Sequence, residues 1–424
     1  MLKKADNRSL SRSIARYSFI IYLFFIFFGT SLPFKEKITE VGEKQTVNVV
    51  NQFVFTTLFL SSCFCLYLKR REFIVLLRKE KYLTVFLVWC LLSLMWSDFP
   101  LVSFKRLFQV VTAFTVSSAV LLNERPSEEI SSCFRIILYL FIPLSFISIL
   151  FVHGAIDPTT LAWRGLAQSK NHLGQISLVS IIIWYHTMRK GSVISKLMSA
   201  FMLIISLVLL LGSESATSIS TLAFLVIFAV VLKLDEKFRS LTMGGSFLVL
   251  VIVASLAITI SIFFLGPEVI GSLFKYFGKD VTFTGRTDLW SSIFGEAKGH
   301  LLIGCGFAGF WVIDNPDLIT LYKDFIWLPN QAHNGYLDIL NETGLVGLSL
   351  FILMVVTYFT HAVRLNKSHF WKWFIIAALI INCQETTLFR QNILTGVMFI
   401  FCYLALYADL FNNIKEKEVA AING

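Results

Sequence analysis

Charge is scarce in this chain. Asp, Glu, Lys and Arg make up 15% of the 424 residues, while 56% are hydrophobic and the mean hydropathy is +0.72. A soluble domain carries about 25% charge, so that class is excluded and an integral membrane protein is indicated. The seven cysteines lack any disulfide or zinc spacing: Cys63, Cys65, Cys90, Cys383 and Cys402 fall within apolar runs, Cys133 at the edge of one, and Cys305 in a long polar segment. A small-residue cleavage site is missing after the apolar run Tyr17 to Pro33, so a retained first span is expected there rather than a signal peptide. No internal repeat is visible and few charges fall in mid-span, which weighs against a secondary transporter, whose halves are related and whose spans carry ionisable groups. The net charge of +10 could point to nucleic acid, but Lys and Arg are scattered in short clusters between apolar runs rather than gathered on one face. They read as topology signals.

A helix needs about 20 apolar residues to cross the hydrocarbon layer. Twelve candidates are expected: 17–34, 49–68, 82–96, 104–122, 134–152, 173–188, 197–212, 217–233, 245–265, 345–363, 371–388 and 392–411. The fold class is therefore all-α, with residues 1–265 carrying spans one to nine, 266–344 forming one large outward loop, and 345–424 carrying spans ten to twelve and a cytoplasmic tail. Lys3, Lys4, Arg8, Arg12 and Arg16 precede the first span, and Lys69, Arg70, Arg71, Arg78, Lys79 and Lys81 follow the second. Arg189, Lys190 and Lys196 follow the sixth, Lys233, Lys237 and Arg239 the eighth, Arg364, Lys367 and Lys372 the tenth, and Lys415 and Lys417 the last. By the positive-inside rule these loops and both termini are cytoplasmic. The loop 266–344 then faces outward, and its Trp290, Phe294, Phe307, Phe310, Trp311, Phe325 and Trp327 lead us to expect it against the membrane surface.

The outward segments collect the polar groups. They are "WSDFPLVSFKR" (Trp96 to Arg106), "WRGLAQSKNHLGQ" (Trp163 to Gln175), "GSESATS" (Gly212 to Ser218), "TGRTDLW" (Thr284 to Trp290) and "QETTLFRQN" (Gln384 to Asn392). Together with the loop they present Arg106, Arg164, Lys170, Arg286 and Arg390, and the histidines His153, His172, His300 and His333. Such cations suit a phosphate-bearing ligand; equally, they could anchor at lipid headgroups by snorkelling. Thr287 can cap a helix in which Leu289, Trp290, Ile293, Phe294 and Ala297 recur at helical spacing, the pattern of an amphipathic helix in the interface. Arg286 would sit just before its N-terminus, where free N–H groups and the dipole also favour an anion.

Gly304-Cys305-Gly306-Phe307-Ala308-Gly309 matches the spacing G-x-G-x-x-G. A dinucleotide site needs a preceding strand and a following helix, so we read a flexible turn instead. Asp314-Asn315-Pro316-Asp317 offers too few oxygen ligands for a hard cation and reads as a turn. His333 and Asn334 stand just before a helical run from Gly335 to Thr343. The helix dipole disfavours a protonated imidazole there, which leaves a group able to accept a proton, as a general base must. The alternative is an interfacial histidine that caps or packs. Gly344 and Gly347 fit close helix packing.

These segments resemble the O-antigen ligase and polymerase superfamily of bacterial polysaccharide assembly. The pattern His333-Asn334, nine residues, Gly344, two residues, Gly347 follows its signature, and within it the chain looks most like ExoQ-type exopolysaccharide polymerisation proteins. The matching pieces "WSDFPLVSFKR", "RGLAQSKNHLG", "TGRTDLW", "GCGFAGFW", "HNGYLDILNETGLVG" and "ETTLFRQN" cover about residues 85 to 400 in order. The resemblance implies a GT-C-like glycosyltransferase of twelve spans in the bacterial inner membrane, with its active site at the outer face. It implies transfer of a glycan from undecaprenyl diphosphate to another lipid-linked repeat unit (polymerase), or to lipid A core or protein (ligase). It also implies His333 as catalytic base, Arg286 as a diphosphate ligand, and a looser binding role for Arg164, Lys170, Asn171 and Arg390. A glycan acceptor, the bilayer, a chain-length regulator and a flippase are the implied partners. Diphosphate is already a good leaving group, so neither cofactor nor metal is implied.

Overall fold

The computed structural model describes residues 2–29, 49–123, 126–189, 192–238, 286–325, 329–364, 370–390 and 393–423. The expected ninth span at 245–265, and 266–285 of the outward loop, lie outside the described residues. Among the described residues nine α-helices precede that stretch: α1 (Leu2–Phe28), α2 (Val49–Leu68), α3 (Arg70–Lys79), α4 (Lys81–Leu92), α5 (Pro100–Leu121), α6 (Pro126–Phe151), α7 (Lys170–Met188), α8 (Val193–Gly212) and α9 (Ala216–Phe238). After it come α10 (Arg286–Ala297), α11 (Pro316–Asp324), α12 (Gly335–Arg364), α13 (Lys372–Ile381) and α14 (Leu394–Asn423). Among the described residues the only extended pairing is a single antiparallel bridge between Ile156 and Trp163. Every expected span that falls on described residues overlaps a helix. Among the described residues five stretches, Ser9–Phe28, Val49–Leu68, Glu128–Phe151, Val193–Gly212 and Gly335–Ala362, are long and apolar enough to cross a bilayer. The described residues are those of an all-helical, multi-pass membrane protein.

Lipid tails are as apolar as leucine, so close packing and buried hydroxyl bonds hold such helices together rather than water exclusion. Ser180 and Ser206 meet at 2.7 Å between α7 and α8, and Ser62 donates to Thr115 at 2.9 Å between α2 and α5. At Gly347 an added Cβ would stand 2.0 Å from Thr343 Oγ1 and 3.4 Å from Trp89, so this glycine does serve close packing. Helix α5 sets the two ends of the molecule. Near its start Arg106 binds the 304–311 turn, and just past its end Asn123 accepts from Lys69 Nζ and donates to Glu129 at 2.9 Å, while Glu129 also takes Arg12 at 2.8 Å. With 1.5 Å rise per residue, about 25 Å along the helix axis separates those groups.

Several expectations need correction. The eleventh span was drawn to residue 388, but α13 stops at Ile381. Asn382 Oδ1 there accepts from Thr387 N and Leu388 N, both at 3.1 Å, and so supports an irregular return in place of further helix. Gly344 is not a packing glycine but a break in α12, with φ 68° and ψ −173°. The chain 301–306 docks into it: Leu345 N donates to Leu301 O, Val346 N to Leu302 O, Cys305 N to Asn341 O and Gly306 N to Glu342 O, at 2.8 to 3.2 Å. Backbone groups freed by the break thus find partners, as burial demands.

The Gly-rich segment, expected to be flexible, is pinned instead. Trp96 Nε1 donates to Gly304 O at 3.0 Å, Phe307 N to Ser93 Oγ at 2.9 Å, and Arg106 holds Ala308 O and Trp311 O. Helix α10 already includes Thr287, so the helix starts at Arg286 rather than after a Thr287 cap. Its apolar face does not lie open to the interface: Leu289 and Ile293 pack with Phe310, Trp311, Leu318, Leu321, Phe325, Ala332 and Leu337 in a small core belonging to the loop. Asn315 accepts from Asp317 N at 3.1 Å and caps α11, which accounts for the Asp-Asn-Pro-Asp stretch.

The conformation at Gly344 is one that side chains do not adopt, and a Cβ there would come 2.3 Å from Leu302 O. Gly344→Ala is expected to cost at least about 1–3 kcal/mol and to lower the melting midpoint in detergent. Gly295→Ala, which meets nothing within 4 Å inside α10, should hold or raise that midpoint.

Candidate functional site

Below the start of α12 lies a set of buried charges. Asp338 and Glu342 are 1% and 2% exposed and stand one helical turn apart. Arg390, from the irregular return after α13, reaches both: its Nη1 lies 2.9 Å from each Glu342 oxygen and its Nη2 3.2 Å from Asp338 Oδ2. Burial alone would depress the guanidinium's pKa, but Glu342 and Asp338 outweigh it and the pKa is raised. Asp338 also accepts from Trp311 Nε1 at 2.7 Å, from Ala332 N at 3.2 Å and from Thr386 Oγ1. Glu342 takes Ala308 N at 3.0 Å. The loop, the broken helix and the 382–390 return therefore converge on two carboxylates and one arginine.

His333 rests on this platform. Asn334 Oδ1 accepts from Tyr336 N at 3.2 Å and Leu337 N at 3.3 Å, so Asn334 is the N-cap of α12. His333, one residue earlier, has φ 50°. A left-handed non-glycine residue costs about 1–3 kcal/mol, and such outliers gather at functional sites. Gly335 gives the neighbouring chain its room, since a Cβ there would fall 2.0 Å from Asn382 Oδ1.

Glu385 is the hub. One of its oxygens lies 3.0 Å from His333 Nδ1 and accepts from Gln331 Nε2 at 2.9 Å. The other accepts from Asn171 Nδ2 at 3.2 Å and lies 3.9 Å from Arg286 Nη2, while Arg286 Nη1 donates to Gln384 O at 2.9 Å. The side chains of Glu385, His333 and Arg286 are 8%, 20% and 24% exposed, so the carboxylate is covered and its partners reach the surface. With Nδ1–H donated to Glu385, the imidazole carries its lone pair on Nε2. This is the arrangement of a base whose tautomer and orientation are set by a carboxylate.

Of the residues singled out in the sequence, His333, Arg286 and Asn171 come together on Glu385. Lys170 is half-buried at the first position of α7. Arg164 is held in a separate turn, its Nε on Gly154 O at 2.5 Å and its backbone N on Ala155 O at 2.9 Å. Arg390 is engaged by the buried carboxylates rather than turned to the same hub. Arg106 holds the Gly-rich turn. Glu385, Asp338 and Glu342 were not singled out. The signal that could have found them was acidic residues inside stretches otherwise apolar enough to be spans, which are costly there without a function or a partner.

A helical membrane protein with a histidine oriented by a carboxylate, and an arginine beside it, is the setting in which the family match falls. Residues 201–352 match the O-antigen ligase family, a stretch that includes both Arg286 and His333. The chain is also 26% identical over 292 residues to the exopolysaccharide production protein ExoQ of Rhizobium meliloti (strain 1021), which covers 66% of this chain and 64% of that protein. It is 27% identical over 300 residues to the "Putative polysaccharide ligase" of Rickettsia felis, covering 68% of this chain and 69% of that one. The chain thus spans just under two thirds of the ExoQ protein's length. The resemblance read from the motifs is borne out.

Removing Arg390 would leave Asp338 and Glu342 buried without their cation. Arg390→Met should cost about 3–5 kcal/mol, seen as loss of folded protein after detergent extraction, with Arg390→Lys intermediate. A variant that melts with the wild type would show that the platform does not depend on this ion pair.

Proposed function

We propose that this protein is a membrane glycosyltransferase that polymerises glycan repeat units carried on undecaprenyl diphosphate. The observation that carries the reading is the shared carboxylate: Glu385 orients His333 through one oxygen and neighbours Arg286 through the other. The acceptor hydroxyl attacks the anomeric carbon, and His333 Nε2 takes its proton. The bond from that carbon to the phosphate oxygen breaks, and the diphosphate leaves with its negative charge facing Arg286. Glu385 is a positioning residue, since it holds the tautomer and offsets the charge that forms on the imidazole. Arg286 stabilises charge where it develops.

The surroundings support the proposed orientation. Arg12 and Lys69 mark one end of α5 and the His333 site adjoins the structures at its other end, as expected for twelve spans with cytoplasmic termini and an outward active site. In this reading Arg164, Lys170 and Asn171 line the donor's path, while Arg390 supports the site from below. The bacterial inner membrane is the proposed location. Ligation of finished polymer to lipid A core or protein is the second reading, favoured by the family description and the Rickettsia relative's name. The two separate in a deletion strain: short-chain products indicate lost polymerisation, and unattached full-length polymer indicates lost ligation. The first result is expected.

His333→Ala should abolish polymer while protein still reaches the membrane, a loss of roughly 10²–10⁴-fold for a general base. Wild-type polymer from that strain would sink the assignment. Glu385→Gln should lower turnover with the donor's KM little changed, because the donor contact is through Arg286. Arg286→Ala should lose activity that Arg286→Lys restores only in part, and full activity in the lysine variant would argue against a bidentate phosphate contact.

A further inference from the structure

Helix α3 carries a surface that the chemistry at His333 does not use. Its Leu76 is buried, and Phe73 packs against the cluster of Ala15, Cys65, Leu66 and Ala119. On the opposite side Arg71, Ile74 and Arg78 are exposed at positions i, i+3 and i+7, a spacing that places them along one helix face. Arg70 is exposed beside them, its guanidinium 5.4 Å from the Tyr67 ring centroid. Ile74 is 46% exposed between the cations. Among the described residues neither Arg71 nor Arg78 has an acidic partner.

Position decides what this face meets. Helix α3 follows directly on α2, whose 20 residues are long and apolar enough to cross a bilayer, so it begins at the membrane boundary. An amphipathic segment there, with arginines flanking an exposed isoleucine, fits a surface that offers phosphates and acyl chains together. Guanidinium groups bind phosphate oxygens bidentately, and cations at an anionic leaflet gain further from its surface potential. An acidic protein segment would match the arginines but offers nothing to the isoleucine. We propose that α3 is a docking surface for anionic phospholipid, with Arg70, Arg71 and Arg78 on headgroup phosphates and Ile74 in the acyl boundary.

The lipid would act on the helix that backs the broken one. Only Glu80 separates α3 from α4, and α4 carries Trp89, whose Nε1 donates to Thr343 O at 2.9 Å beside the break in α12. The inference is independent of the reaction proposed above.

The test uses the full chain reconstituted in phosphatidylcholine vesicles containing trace spin-labelled phosphatidylglycerol or spin-labelled phosphatidylcholine. The protein should favour the anionic probe by about tenfold. That preference should shrink toward unity in Arg70→Gln/Arg71→Gln/Arg78→Gln, persist in Lys298→Gln, and weaken in wild type at high salt. The salt arm needs no substitution, so it stands even where the triple variant does not fold. No preference in wild type, a salt-insensitive preference, or an equal preference in the folded triple variant would overturn the proposal. So would binding of an acidic peptide at α3 without preference for the anionic lipid.

Discussion

The ion pair between Arg390 and the carboxylates of Glu342 and Asp338 is the contact on which the end of the protein around His333 depends. Each of these groups is expensive to bury alone, and together they satisfy one another. Because Arg390 comes from the return after α13 and the acids from α12, their pairing fixes two segments that are not neighbours in the chain. Asp338 and Glu342 then recruit Trp311, Ala332, Thr386 and Ala308, so the loop is drawn onto the same point. Polar bonds of this kind take over the ordering that water exclusion supplies in a soluble core.

The break at Gly344 belongs to the same construction. A continuous helix would leave the loop with no backbone groups to bind. Breaking it exposes donors and acceptors on both sides of residue 344, and the segment 301–306 fills them. The stretch from Gly335 to Thr343 is thereby a short helix with its N-terminus held against the end of α13 through Gly335 and Asn382. His333 stands at that N-terminus in a strained backbone conformation, with Glu385 approaching from the return. The site is rigid because all three segments are over-determined by buried polar contacts, the condition under which local strain persists.

Much of the architecture was legible in the residues. Apolar runs separated by Lys and Arg clusters gave helices where helices are, because length and polarity decide what can cross a bilayer. The histidine at residue 333 and the helix start just after Asn334 were also readable, since the signals of a helix start are local. Less legible were the partners. Glu385 sits where the eleventh span, drawn to residue 388, overlaps the last outward turn 384–392, and nothing nearby in sequence points to residues 171, 286 or 333. The Gly-rich segment was read as a flexible turn, yet at Gly306, with φ 106°, an added Cβ would stand 2.5 Å from Ser97 Cβ and 2.8 Å from its Cα. Glycine content alone does not distinguish a loose turn from a tightly seated one.

By itself, then, the sequence determined an all-helical membrane protein, the placement of its helices, and the residue types able to bind a phosphate and take a proton. Hydropathy and local capping act over a few turns, and they are written in consecutive residues. Only the tertiary structure decided that His333, Arg286 and Asn171 share Glu385, that Arg390 supports rather than joins them, and that α12 breaks where the loop docks. Those outcomes depend on which buried charges and freed backbone groups find each other across separations such as 42, 48 and 214 residues of chain, and pairing at that range leaves no periodic mark in the sequence.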